Sequence, residues 1–228
     1  MTLPPLSKTK RLAFTLVELI TVIAIIAILM ALLLPAVNTV RKQANNAKAK
    51  SDVQTIVAAL KSFNTDYGQY PPPISPALSG TSDVVVGPGL TYSNYQLIDV
   101  LRAASSGASS WNFNNVANPR QVVYLDMPNA KSATAPKGGV ATAAVASFNG
   151  KAVNIGDLMD PFGVAYFIAI DYNYNNVIDP AANWPYTDIG PTTSTPLRAG
   201  VVAWSLGADN AAGKSGALAG SDDIVSWQ

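Results

Sequence analysis

The chain has 228 residues, a formal net charge of +1 and only 13% charged residues. That length suits one folded domain with an anchor, and the balance lacks the basic surplus of a nucleic-acid binder. There is no cysteine, which excludes disulfides and thiolate metal sites, and no histidine, which removes the usual general base and the commonest nitrogen ligand.

Lys8, Lys10 and Arg11 precede an apolar run from Leu16 to Leu34. As a helix that run spans about 28 Å, close to the thickness of a bilayer core. It is apolar on every face, unlike a core helix, and longer than a secretory h-region, so it reads as membrane-spanning. Charge does not orient it, because Arg41, Lys42, Lys48 and Lys50 lie beyond its other end. Glu18, the only glutamate, sits near the start of the run. An ionisable group in an apolar helix asks for a partner; the competing reading is a carboxylate reaching the headgroups.

Pro35 follows the run and removes one backbone hydrogen bond, to Ala31. Apolar residues then recur at helical spacing: Val37, Val40, Ala44, Ala47, Val53, Ile56, Val57, Leu60 and Phe63. The pattern predicts a long helix over 14–68, spanning the membrane over 16–34, kinked at Pro35, amphipathic over 36–67 and ended near Gly68. The basic segment 1–13 precedes the helix, and 69–228 are expected to form a C-terminal globular domain.

The Pro-rich stretch 69–76 reads as an extended connector. A short helix is expected over 94–103, with Leu97, Ile98 and Leu101 on one face, and strands over 122–125, 165–170 and 200–204. The Ala/Ser/Thr/Gly stretches 103–110, 130–146 and 211–221 read as loops. The fold class is α+β: a long N-terminal helix whose amphipathic half packs on a small antiparallel sheet.

Two loops carry oxygens. Over 171–179, Asp171, Asn173, Asn175 and Asp179 occupy positions 1, 3, 5 and 9 of an EF-hand-like loop, with Val177 as carbonyl donor at 7. Ala182 stands where the bidentate Glu belongs, and an Asn-rich hairpin competes with metal. Over 206–223, Asp209, Asp222 and Asp223 offer carboxylates and Leu206 a carbonyl to calcium; the competing reading is an ordinary solvated loop. For catalysis the only groupings are Asp157 with Asp160 and Ser62 beside Lys61. They read as a solvated turn and a helix surface, so no enzyme is expected.

Ala13-Phe14-Thr15-Leu16-Val17-Glu18-Leu19 behind a basic leader resembles the N-terminal signature of type IV pilin-like proteins, which include the pseudopilins of type II secretion. The resemblance implies that a prepilin peptidase cuts between Ala13 and Phe14 and methylates the new amine; the family residue before the cut is usually Gly. Glu18 and Pro35 fall at the family's Glu and Pro positions. Asp160-Pro161-Phe162-Gly163 is similar to the Asp-Pro-Trp-Gly segment of major pseudopilins, and Ser205 to Asp209 with Asp222 to Trp227 resemble the halves of their calcium loop.

What the resemblance implies is a pseudopilus subunit, with Glu18 pairing with the Phe14 ammonium of a neighbour. The implied partners are further copies of the chain, the prepilin peptidase, the inner-membrane assembly platform, minor pseudopilins and membrane lipid. It also implies a cytoplasmic leader, a single inner-membrane span and a periplasmic C-terminal domain. A type IV pilin or minor pilin, and a membrane-anchored binding module that never polymerises, are the alternatives.

Overall fold

The computed structural model of the chain describes residues 15–71, 82–105, 107, 109–180, 183–191 and 195–227. The leader, Phe14 and residues 72–76 of the expected connector lie outside them. Helix α1 runs from Leu16 to Tyr67. It stops where expected: Gly68 takes φ +71, and its amide donates to the Asn64 carbonyl at 2.7 Å. Glycine suits that left-handed position because it has no Cβ to clash. The helix continues through Pro35.

The chain divides into two units, residues 1–44 and 45–228. In the first, the apolar stretch of α1 is exposed on all sides: Leu16, Ile23, Ile28 and Leu34 are each more than half exposed. Of the expected stripe, Val40 and Ala44 are exposed and Val37 is half-buried.

In the second unit Ala47 is exposed too, and the buried stripe of α1 begins at Ala49. It continues through Val53, Ile56, Val57, Leu60 and Phe63. These side chains pack with Leu97, Ile98 and Leu101 of helix α2 (Asn94–Leu101) and with one face of a sheet. The sheet is antiparallel, in the order β1 (Val84–Val86), β6 (Phe167–Ile170), β7 (Val201–Ser205), β8 (Ile224–Val225). Val84, Val86, Ile168, Ile170, Val201 and Ala203 face α1. The opposite face is also buried: Val85, Phe167, Ala169, Val202, Trp204 and Val225 pack against Ile178, Tyr186, Leu197, Leu206 and Leu218 from long loops. A strand buried on both faces has no polar alternation, hence the unbroken apolar runs at 165–170 and 200–204.

Two small hairpin-like pairs complete the unit: β2 (Gly139–Val140) with β5 (Leu158–Met159), and β3 (Val145–Phe148) with β4 (Lys151–Val153). They correct the expectation of a loop throughout 130–146. The β3–β4 turn is Asn149-Gly150, with φ +50 and +75, the chemistry that two-residue hairpins favour.

The strand expected over 122–125 does not form. The Asn118 side chain captures both backbone groups of Val122, and the amides of Tyr124 and Leu125 both donate to the Leu101 carbonyl at the end of α2. With these groups taken locally, the segment cannot offer the regular series of donors and acceptors that a ladder needs.

Asp157 and Asp160 are not in a solvated turn; both are fully buried. Asp157 accepts the Tyr95 amide and the Ser93 hydroxyl at the start of α2, and the Asn154 amide. Asp160 accepts the amides of Phe162, Gly163 and Val164 at 2.9, 2.6 and 2.9 Å and the Ser205 hydroxyl at 2.5 Å. Burial pushes both carboxyls up, and these bonds act against it. Gly163 sits at φ +103, and a Cβ there would meet the Phe148 ring at 2.6 Å. The Asp-Pro-Phe-Gly segment is thus a buried turn that locks β5, β6 and β7.

Candidate functional site

At the N-terminal end, Thr15 and Glu18 close a reciprocal cap. The Thr15 amide and hydroxyl donate to Glu18 Oε2 at 2.8 and 2.7 Å, and the Glu18 amide donates to Thr15 Oγ1 at 3.2 Å. This is a Thr-x-x-Glu capping box, which satisfies amides that the first helical turn would otherwise leave bare. The sequence reading weighed Glu18 only as a pairing or snorkelling carboxylate, although the spacing was visible. The cap places the Glu18 carboxylate at the amide that follows Phe14. Ala13 and Phe14 themselves lie outside the described residues. At Pro35 the carbonyl accepts the Thr39 hydroxyl at 3.1 Å.

The second constellation is the loop between β7 and β8. Asp209, Asp222 and Asp223, 13 residues apart in sequence at the most distant step, each bring an oxygen within 4.8 Å of the others'. Gly207, at φ +71, lies against the Asp222 carbonyl, where any Cβ would clash, so glycine permits the approach. One oxygen of each acid is held by a backbone amide: Asp222 by Ala208 at 2.8 Å, Asp209 by Ala211 at 2.9 Å, Asp223 by Gly213 at 2.7 Å. Burial pushes the Asp223 carboxyl up, the Gly213 bond opposes this, and repulsion from Asp209 and Asp222 adds to the rise.

Asp223 Oδ1, the Asn210 side-chain oxygen and the Tyr186 hydroxyl are buried and none makes a well-formed hydrogen bond among the described residues, although the Tyr186 hydroxyl lies near enough to the Asp223 carboxyl to oppose its rise. Buried oxygens with few donors, beside three converging carboxylates, fit a hard divalent cation with oxygen ligands. Leu206 buries its side chain in the core and has only its carbonyl to offer. Asn210 and Tyr186 were not foreseen; in sequence nothing marks a lone Tyr 36 positions before Asp222.

The 171–179 loop is arranged differently. Asp171 is buried and accepts the amides of Asn175 and Asn176 at 3.3 and 2.8 Å, while Asn175 Oδ1 accepts the Val177 amide at 2.7 Å. The amide nitrogens of Asn173 and Asn175 donate to the two oxygens of Asp179, each at 3.2 Å. The loop does not form a tight hairpin either, since the strand that pairs with β6 returns only at Val201. Asp83, which the sequence reading passed over, closes the loop from β1. Its oxygens accept the Tyr172 and Asp179 amides at 3.2 and 2.7 Å. Burial, with repulsion from Asp179 and Asp171, pushes Asp83 up to about 7, against the Asp179 amide bond.

Comparison with known proteins adds one finding. The prokaryotic N-terminal methylation motif matches residues 8–34. The chain carries the type IV pilin-like prepilin signature. That signature marks structural, pilin-like proteins rather than enzymes, and it is read by a prepilin peptidase. It fits a membrane-anchoring role for the exposed apolar stretch of α1. No curated protein and no solved structure matches the chain.

Proposed function

We propose that the chain is a structural subunit of a type II secretion pseudopilus. It is cut before Phe14, held in the inner membrane by the 16–34 span with its leader in the cytoplasm and its C-terminal unit in the periplasm, and polymerised through its N-terminal helix. The observation that carries this reading is an apolar helical stretch, exposed on every face, that lies within a methylation motif. In a membrane lipid covers that surface, and in a filament the same helix of neighbouring copies does. The acid cluster at Asp209, Asp222 and Asp223 supports calcium as the bound ion, and its place in the loop between β7 and β8 is the ground for preferring a major pseudopilin.

The Glu18 cap decides the experiment. Glu18→Gln keeps an oxygen for the Thr15 amide and hydroxyl but removes the charge; Glu18→Ala removes both. Filaments are imaged after overexpression of each variant, with membrane fractionation as control. The proposal expects both variants in the membrane and neither in filaments, because the charge is what pairs with the Phe14 ammonium. Filaments from Glu18→Gln but not Glu18→Ala would reduce Glu18 to a helix cap. Absence of filaments from the unaltered chain, supplied with its assembly platform, would leave a membrane-anchored module.

A further inference from the structure

The second unit has one markedly basic opening. Lys48 of α1 and Lys131 and Lys137 of the loop before β2 line a surface pocket of about 310 Å³ together with Asn45, Asn129 and Gly138. Gly138 takes φ +61, a left-handed turn that suits glycine, and the Lys48 stem passes it at contact distance, with Cε 3.4 Å from where a Cβ would stand. Lys48 Nζ is 2.9 Å from Asp52, which is buried and also accepts the Tyr166 hydroxyl. Neither Lys131 nor Lys137 has an ion-pair partner among the described residues. Lys137 Nζ lies 5.9 Å from the centre of the Phe148 ring, a contact that holds its chain near the opening.

Three ammonium groups around one opening repel each other, and Asp52 offsets only one of them. A dianion balances the remaining two. Lysines are compact point charges that approach from separate directions, which suits the tetrahedral oxygens of phosphate; a planar carboxylate is matched better by the fork of an arginine, and none lines this pocket. The Asn45 and Asn129 side chains add neutral donors. We propose that this pocket binds a phosphate group, either free inorganic phosphate or the headgroup of an anionic phospholipid. The inference does not depend on the pseudopilin reading.

The test uses the full chain in neutral detergent micelles. Inorganic phosphate is titrated by calorimetry and by line broadening in phosphorus NMR, with acetate at matched ionic strength as the second arm and micelles doped with phosphatidylglycerol as the third. Each is repeated with the Lys131→Gln/Lys137→Gln double variant, whose fold is checked by circular dichroism. We expect saturable phosphate binding, no comparable response to acetate, and affinity weakened roughly tenfold or more in the double variant. Saturation by phosphatidylglycerol but not by free phosphate also supports the site and names the headgroup as its source. Equal binding of acetate, which points to carboxylates of a protein partner, overturns the proposal. So does a well-folded double variant with unchanged affinity, or no saturable response in any arm.

Discussion

The two ends of the described chain satisfy their polar groups in opposite ways. At residues 15–34 the side-chain bonds of Thr15, Glu18 and Thr21 stay within one helical turn, and the apolar side chains are exposed. At residues 157–227 the polar groups reach across the fold: Asp160 to Ser205, Asp188 to Leu218 and Ala219, Asp222 to Ala208. The first region leaves its apolar surface exposed; the second, apart from the acid cluster, closes its polar groups with the chain's own. Substitutions should therefore act on membrane placement and assembly in the first region, and on folding in the second.

The largest effect on stability is expected at Asp160. Asp160→Ala takes the side-chain acceptor from the Phe162 and Val164 amides and leaves Gly163 only the residue-160 carbonyl at 3.2 Å, and it should cost about 3 kcal/mol or more. Loss of a cooperative melting transition, or a drop of that size in denaturant unfolding, checks it; Ile25→Ala in the span should leave the same transition in place. A difference near zero between the two would erase the contrast.

Calcium comes next. A ligand that binds only the folded state at a hundredfold excess over its Kd stabilises by roughly 2.7 kcal/mol. The full chain in detergent should melt higher in millimolar calcium than in chelator, and Asp209→Ala should remove most of that gain. Asp171→Ala should leave it in place, because both Asp171 oxygens accept loop amides whereas each acid of the cluster has only one oxygen so held. Magnesium should substitute poorly, since it demands a tight octahedron. No calcium-dependent change in Tm, with no heat of binding, would remove the cation from the account.

A smaller effect sharpens the picture at Asp83. Its carboxyl is raised in the folded chain, so the folded state holds a proton that the unfolded state has released between the ordinary carboxylate range and about pH 7. That contribution is present at low pH and lost as pH rises through about 7. Asp83→Asn should therefore shrink the fall in Tm between pH 5 and pH 8. An unchanged pH profile would show that Asp83 does not titrate there.

The same contrast explains what was legible in the sequence. The end of α1 at Gly68, helix α2 and strands β6 and β7 are local patterns of spacing and run length, and each lies within a few residues of its expected place. The Thr15–Glu18 cap and the Asn149-Gly150 turn are local too, and their signals were passed over. The failure at 122–125 was of another kind. Valine and tyrosine favour a strand, yet a side chain four residues earlier took the backbone groups a partner strand needs. At the candidate cation site the three acids could be named because the resemblance pairs their segments, whereas Asn210 and Tyr186 enter only once the loops are folded against one another. Asp83 likewise gains its meaning from a loop nearly ninety positions later, which no spacing rule connects to it.

The most direct measurement is the mass and N-terminal sequence of the protein extracted from its membrane. The account predicts a mature chain that begins at Phe14 with one methyl group on its amine. A chain that begins at Met1, or beyond Leu34, would contradict it.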